Sequence, residues 1–140
     1  MSRPPYLVHV GIGLAGLAAL IAIASSGGSS MSPPLSHPIP TGQPGRYFTW
    51  AEFKKSGTAS RLGLDNTPTP AAQARIGQLC VAVLDPLRAH LGRPIRITSG
   101  YRAPAVNKAL KGASSTSQHM LGEAVDFKVE GISAEQLATI

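Results

Sequence analysis

Ser117–Phe127 reads SQHMLGEAVDF, with His119 and Asp126 standing seven positions apart and Gly122 and Ala124 between them. From Ala124 onward Val125, Phe127 and Val129 alternate with Asp126, Lys128 and Glu130, the period of two that marks a strand with one buried face. With the apolar set turned to a core, Asp126 and Lys128 share the opposite face. Gly122 permits a tight turn that brings the His119 ring back over Asp126, and Ala124 leaves room beside it. An imidazole nitrogen and a carboxylate oxygen converging in this way can bind zinc at about 2.0–2.2 Å each. A catalytic zinc takes three protein ligands plus an open position, so the pair is an incomplete set.

Upstream, KGASSTSQ is a polar loop, and before it RPIRITSGYR places Ile95 and Ile97 on one side and Arg96 and Thr98 on the other, a second half-buried strand. Tyr101 and Arg102 follow that strand at its junction with a short helix that Pro104 opens and Gly112 closes. There the fixed charge and paired donors of Arg102 suit a carboxylate or a developing oxyanion. The main core helix begins at Pro70, with Thr69 as its cap. Its apolar face comprises Ile76, Leu79, Cys80, Val83, Leu84, Leu87 and Leu91; Pro86 is expected to kink it or end it early, and Gly92 suits the position just past its end. Asp65 and Asn66, in the loop RLGLDNTPTP, are expected to make turn hydrogen bonds. Thr49 with Glu52 and Ser133 with Gln136 form capping boxes that start two further helices. The second of these has barely two turns before Ile140, so the sequence reads as cut off. Together these elements predict an α+β domain, with helices packed on one face of a small, mainly antiparallel sheet that is incomplete in this chain.

The 140 residues divide into three parts. Residues 1–24 combine Arg3 with an uncharged stretch, apart from His9, and end in AIASS, the outline of a secretory signal with Ala22-x-Ala24 as cleavage site. Uncut, the run is long enough to cross a bilayer and would serve as an anchor in the inner membrane, permanent or of the releasable Gly/Ala-rich kind. A buried soluble helix is the remaining reading. Residues 25–45, rich in Ser, Gly and Pro, read as a flexible spacer with stiffer parts, and His37 within it as inert. Residues 46–140 form the domain, expected to be monomeric and exported to the periplasmic or cell-wall side. The net charge of +6 and pI near 10.0 fit attraction to an anionic polymer, whether nucleic acid, acidic lipid or wall material. The basic residues are scattered, without an aromatic-interleaved cluster, which argues against nucleic acid. Cys80 is the sole cysteine, which excludes an internal disulfide and any Cys-rich metal site.

SGYR at Ser99–Arg102, followed by SQHMLGEAVD at Ser117–Asp126, resembles the S-G-[YF]-R … S-x-H-x-x-G-x-A-x-D pattern of the zinc D-alanyl-D-alanine carboxypeptidases. D-Ala-D-Ala dipeptidases and phage murein endopeptidases are related, and the hedgehog signalling domain shares the fold. The segments FTWAEF, RLGLDNTPTP and LDPLR extend the likeness over roughly Tyr47 to Ile140. The resemblance implies a Zn2+ cofactor with His119 and Asp126 as its first two ligands. Arg102 would be catalytic, holding the substrate carbonyl oxygen or terminal carboxylate, with Tyr101 and Ser117 also at the substrate. The implied reaction is metal-assisted hydrolysis of peptidoglycan stem peptides, by a carboxypeptidase or a murein endopeptidase. The family's third ligand is a histidine in a later Trp-x-His strand with the catalytic base just before it, and no histidine follows Asp126 here. His9, His37 and His90 match no ligand position, and neither Glu123 nor Glu130 is assigned as the base. The expectation is a fragment or truncated product of a zinc peptidase, binding zinc weakly and hydrolysing little. The alternative is a non-catalytic peptidoglycan-binding or hedgehog-like interaction module.

Overall fold

The computed structural model describes residues 8–11, 39–137 and 139. In chain order the elements are strand β1 (Val8–Gly11) and helices α1 (Trp50–Lys54), α2 (Gly57–Leu62) and α3 (Pro70–Leu79). A π-helical turn (Cys80–Leu84) leads into α4 (Asp85–Leu91), followed by β2 (Ile95–Ser99) and α5 (Pro104–Ala109). A 3-10 turn (Gln118–Leu121), β3 (Ala124–Val129) and α6 (Ala134–Leu137) complete the order. The strands form one antiparallel sheet in the order β1-β3-β2.

The α+β architecture follows from the alternation read in the sequence. Val125, Phe127 and Val129 of β3 and Ile95 and Ile97 of β2 are buried against Phe53 of α1 and against Ala72, Ile76, Leu79, Cys80, Val83 and Leu84 of the long helix. Each of the Val, Leu, Ile and Phe side chains among them contributes about 1.5–3 kcal/mol when fully buried. The helices cover one face of the sheet, and Arg96, Asp126 and Lys128 stand on the other by strand alternation. Cys80 is fully buried in this core, and burial, with Asp85 and Glu52 nearby, pushes its thiol far above the ordinary range, leaving it an inert packing group.

The expected helix caps form. The Glu52 carboxylate accepts from the Thr49 backbone N–H at 2.7 Å, and the Thr69 hydroxyl accepts from the Ala72 N–H at 3.2 Å. Pro86 neither ends the long helix nor breaks it. The turn before it widens to π geometry, with the Asp85 N–H donating to the Cys80 carbonyl five residues back, and the chain runs on as α4 until Gly92 closes it at φ +59°.

Asp85 has a second role that its neighbours in sequence conceal. Its buried carboxylate accepts from the backbone N–H groups of Arg46 (2.8 Å) and Tyr47 (3.3 Å), pinning the start of the domain to the helix. Gly45 fits there because a Cβ would lie 2.7 Å from the Cβ of Cys80.

Most of the leader expected over residues 1–24 and of the linker over 25–45, with the cleavage site and His37, lies outside the described residues. Within the leader, Val8–Gly11 pairs with β3, placing the backbone of His9 opposite Asp126. Among the described residues no helix is long and apolar enough to cross a membrane.

Candidate metal centre

The site is assembled where the SGYR turn, the 3-10 turn and β3 meet. Gly100 lies flat on α1, its position for a Cβ only 2.7 Å from the Cα of Phe53, so any larger residue would push the two elements apart. The next residue locks the contact, as the Tyr101 N–H donates to the Phe53 carbonyl at 2.9 Å. Gly122 ends the 3-10 turn in the left-handed region at φ +74°, and a Cβ there would stand 2.5 Å from the Ala72 carbonyl oxygen of α3. Its absent side chain is therefore required twice, by the backbone angle and by the helix that it touches.

These contacts carry His119 over β3. His119 is 5% exposed and Asp126 8%, and His119 Nε2 lies 3.4 Å from Asp126 Oδ2. The other ring nitrogen, Nδ1, lies 2.8 Å from the Gly100 carbonyl oxygen. A carbonyl only accepts, so Nδ1 carries the proton, and in the neutral ring Nε2 presents its lone pair toward the carboxylate. Two electron-rich atoms facing each other repel unless a cation lies between them or the ring takes a second proton. Two ligands bound to one tetrahedral zinc at about 2.0–2.2 Å stand roughly 3.3–3.6 Å apart, which the observed separation matches. A ring N–H fixed on a backbone carbonyl is also how metal-bound histidines are held in orientation. The residues present fit zinc as two of its ligands. Among the described residues no third His, Cys, Asp or Glu side chain joins them.

Arg102 is tied to the same assembly from the other side. Its backbone N–H donates to the His119 carbonyl at 3.1 Å, and its guanidinium Nη1 donates to Asn107 Oδ1 at 3.2 Å. Asn107 is buried in α5 and donates in turn to the Ser114 carbonyl at 2.9 Å, so the guanidinium is aimed by a fixed amide. Ser117 stands half-buried at the start of the 3-10 turn, its carbonyl accepting from the Met120 N–H. Tyr101, expected at the substrate, lies instead in the core at 4% exposure, and burial raises its phenol above the ordinary value. Its side chain joins Ile95 and Ile97 in the core, while Arg102 stays half-exposed.

Asn66 exceeds its expected part in a local turn. Its amide nitrogen donates to the carbonyls of Lys54 (2.9 Å) and Tyr101 (3.0 Å), and its oxygen accepts from the Ala103 N–H at 2.8 Å, clasping the SGYR turn on both sides. Asp65 makes the turn bonds, to the N–H and hydroxyl of Thr67. Neither buried asparagine was assigned a site role from sequence, since the partners of Asn66 in the SGYR turn lie more than thirty residues away. An asparagine directly before a Thr-Pro step was the one available signal for it. Glu123 pairs with Arg75 of α3 at 2.8 Å, Glu130 is exposed beyond β3, and His90 is exposed at the end of α4.

Comparison with known families agrees with this geometry. A family model described as Peptidase M15 matches residues 46–140. The chain belongs to the peptidase M15 family. That is the zinc D-Ala-D-Ala carboxypeptidase-like family of the SGYR and SxHxxGxAxD resemblance, and its members are hydrolases of the metallopeptidase class, typically zinc-dependent. The matched region begins at Arg46, whose backbone Asp85 anchors. No curated protein and no solved structure matches the chain.

Proposed function

We propose that this M15 domain is a zinc peptidase that hydrolyses D-amino-acid peptide bonds in peptidoglycan stem peptides, as a D-Ala-D-Ala carboxypeptidase or a murein endopeptidase. The observation that carries this reading is the 3.4 Å approach of His119 Nε2 to Asp126 Oδ2, with Nδ1 held by the Gly100 carbonyl. His119 and Asp126 would hold the metal. Bound there, zinc supplies Lewis-acid polarisation of the scissile carbonyl and a nucleophile from water at neutral pH. Arg102, aimed by Asn107, offers its remaining guanidinium donors to the carbonyl oxygen or terminal carboxylate of the substrate. Ser117, on the loop that carries His119, would make a polar contact with the peptide. The net charge of +6 draws the domain to anionic wall material. The domain would work as a monomer outside the cytoplasmic membrane; the pairing of Val8–Gly11 with β3 counts against residues 1–24 acting as a whole as a cleaved leader or anchor.

A second reading is a module that keeps the fold and binds wall peptides without cutting them, since among the described residues two metal ligands stand together without a third. One experiment separates the two. The full chain, supplied with zinc and then dialysed, is assayed for bound metal and for D-alanine released from a stem pentapeptide. Retained zinc and release that falls at least a hundredfold in H119A and D126A support the peptidase. Binding to murein sacculi that is indifferent to chelator, without D-alanine release, supports the module.

A further inference from the structure

The sheet face that carries Asp126 continues past the metal pair to a feature that the reaction does not account for. Arg96 and Lys128 are direct register partners across β2 and β3, and both stand on the face opposite the core. Like charges placed opposite each other in a sheet are unfavourable. Among the described residues, neither cation has a hydrogen bond or an ion pair to offset this. Both line a cavity of about 500 Å³ that runs from the end of the sheet to the turn before α6, with Glu130 also on its wall and Ser133 and Gln136 across it. Lys128 is two residues along the strand from Asp126, a step of about 6.6–6.8 Å. An extended peptide with its scissile bond at the metal pair would therefore lay a side chain or terminus over the two cations about two residues away.

We propose that Arg96 and Lys128 form an anion subsite that receives a carboxylate of the peptide substrate, about two residues from the bond to be cut. The inference rests on the peptidase reading for the position of that bond. The cavity supplies room, and the two cations, without an ion-pair partner among the described residues, supply positive charge for an acidic group, with Glu130 alone as a carboxylate on the same wall. Lys128 is half-buried, so the contact is partly shielded from water and screened less than a surface pair.

The test uses two synthetic peptides that differ only in whether the carboxylate two residues from the scissile D-Ala bond is free or amidated. Each is titrated calorimetrically into the zinc-supplied full chain and its R96Q, K128Q and double variants, and hydrolysis is followed in parallel. The free acid should bind the wild type about tenfold more tightly than the amide, a preference that shrinks in each single variant and disappears in the double. Equal binding of both peptides, or no binding of the free acid, overturns the subsite. Binding of a polyphosphate that depends on Lys128, without any preference between the peptides, overturns it too and assigns the cations to a polyanion. Hydrolysis of both peptides at equal rates would sink the subsite while leaving the peptidase intact. A binding preference that the variants abolish, with neither peptide cut, would keep the subsite and sink the peptidase. Melting temperatures at or above that of the wild type show that the variants are folded.

Discussion

The two ends of one sheet face are built on opposite terms. At the His119–Asp126 end every group is held by another: Gly100 lies on α1, Gly122 on α3, the imidazole on a backbone carbonyl and the Arg102 guanidinium on a buried asparagine. At the Arg96–Lys128 end two cations face each other, without partners among the described residues. The first end orders polar groups at fixed separation, as a metal requires. The second leaves charge unmet, as a binding surface for an anion requires.

Substitutions at the two ends should therefore move stability in opposite directions. The largest loss is expected for G122A. Alanine at φ +74° costs roughly 1–2 kcal/mol in backbone strain, and its Cβ meets a helix carbonyl that cannot swing aside, adding overpacking of about 1–3 kcal/mol. The urea midpoint should drop accordingly, and zinc retention with it; a midpoint within error of wild type would show that the turn and α3 do not constrain each other. N107A comes next. Loss of the amide frees Arg102 and leaves the Ser114 carbonyl without its donor, so about 1–3 kcal/mol of stability should go and KM should rise more than kcat falls. A fall in kcat alone would give Asn107 a different part.

The cationic end should respond in the other sense. K128Q removes a like-charge opposition and is expected to raise stability by a few tenths of a kcal/mol, more at low salt than at high. A destabilised K128Q would mean that the lysine has an anionic partner in the native protein. The smallest effect belongs to E123Q, since the carboxylate pairs with a half-exposed Arg75 and many such pairs contribute nothing measurable. A loss of zinc in E123Q would show that Glu123 does more than pair with Arg75.

Much of this arrangement was legible before the structure. The alternation of Val125, Phe127 and Val129 sorted the faces of β3, the stripe from Ile76 to Leu91 gave the long helix, and the capping pairs fixed where helices begin. Local chemistry decided these elements, so local sequence reported them. Tyr101 was misplaced because a residue beside a functional arginine in a motif need not share its direction. The odd-numbered position that Tyr101 shares with Ile95 and Ile97 was the available signal that it belongs to the core. Pro86 was read as kinking the helix or ending it early; the helix does not end, because a widened turn just before the proline carries it on.

The sequence by itself determined the α+β character and the pairing of His119 with Asp126, because strand period, helix period and motif spacing are properties of neighbouring residues. Only the tertiary structure decided how that pair is held. The carbonyl that orients His119 comes from Gly100, the anchor of Arg102 from Asn107, the clasp on the SGYR turn from Asn66 and the pin at the domain's start from Asp85. Most of these partners lie many residues apart in the chain. A buried polar group must find a hydrogen bond, and where it finds one is settled by which distant backbone the fold delivers to it.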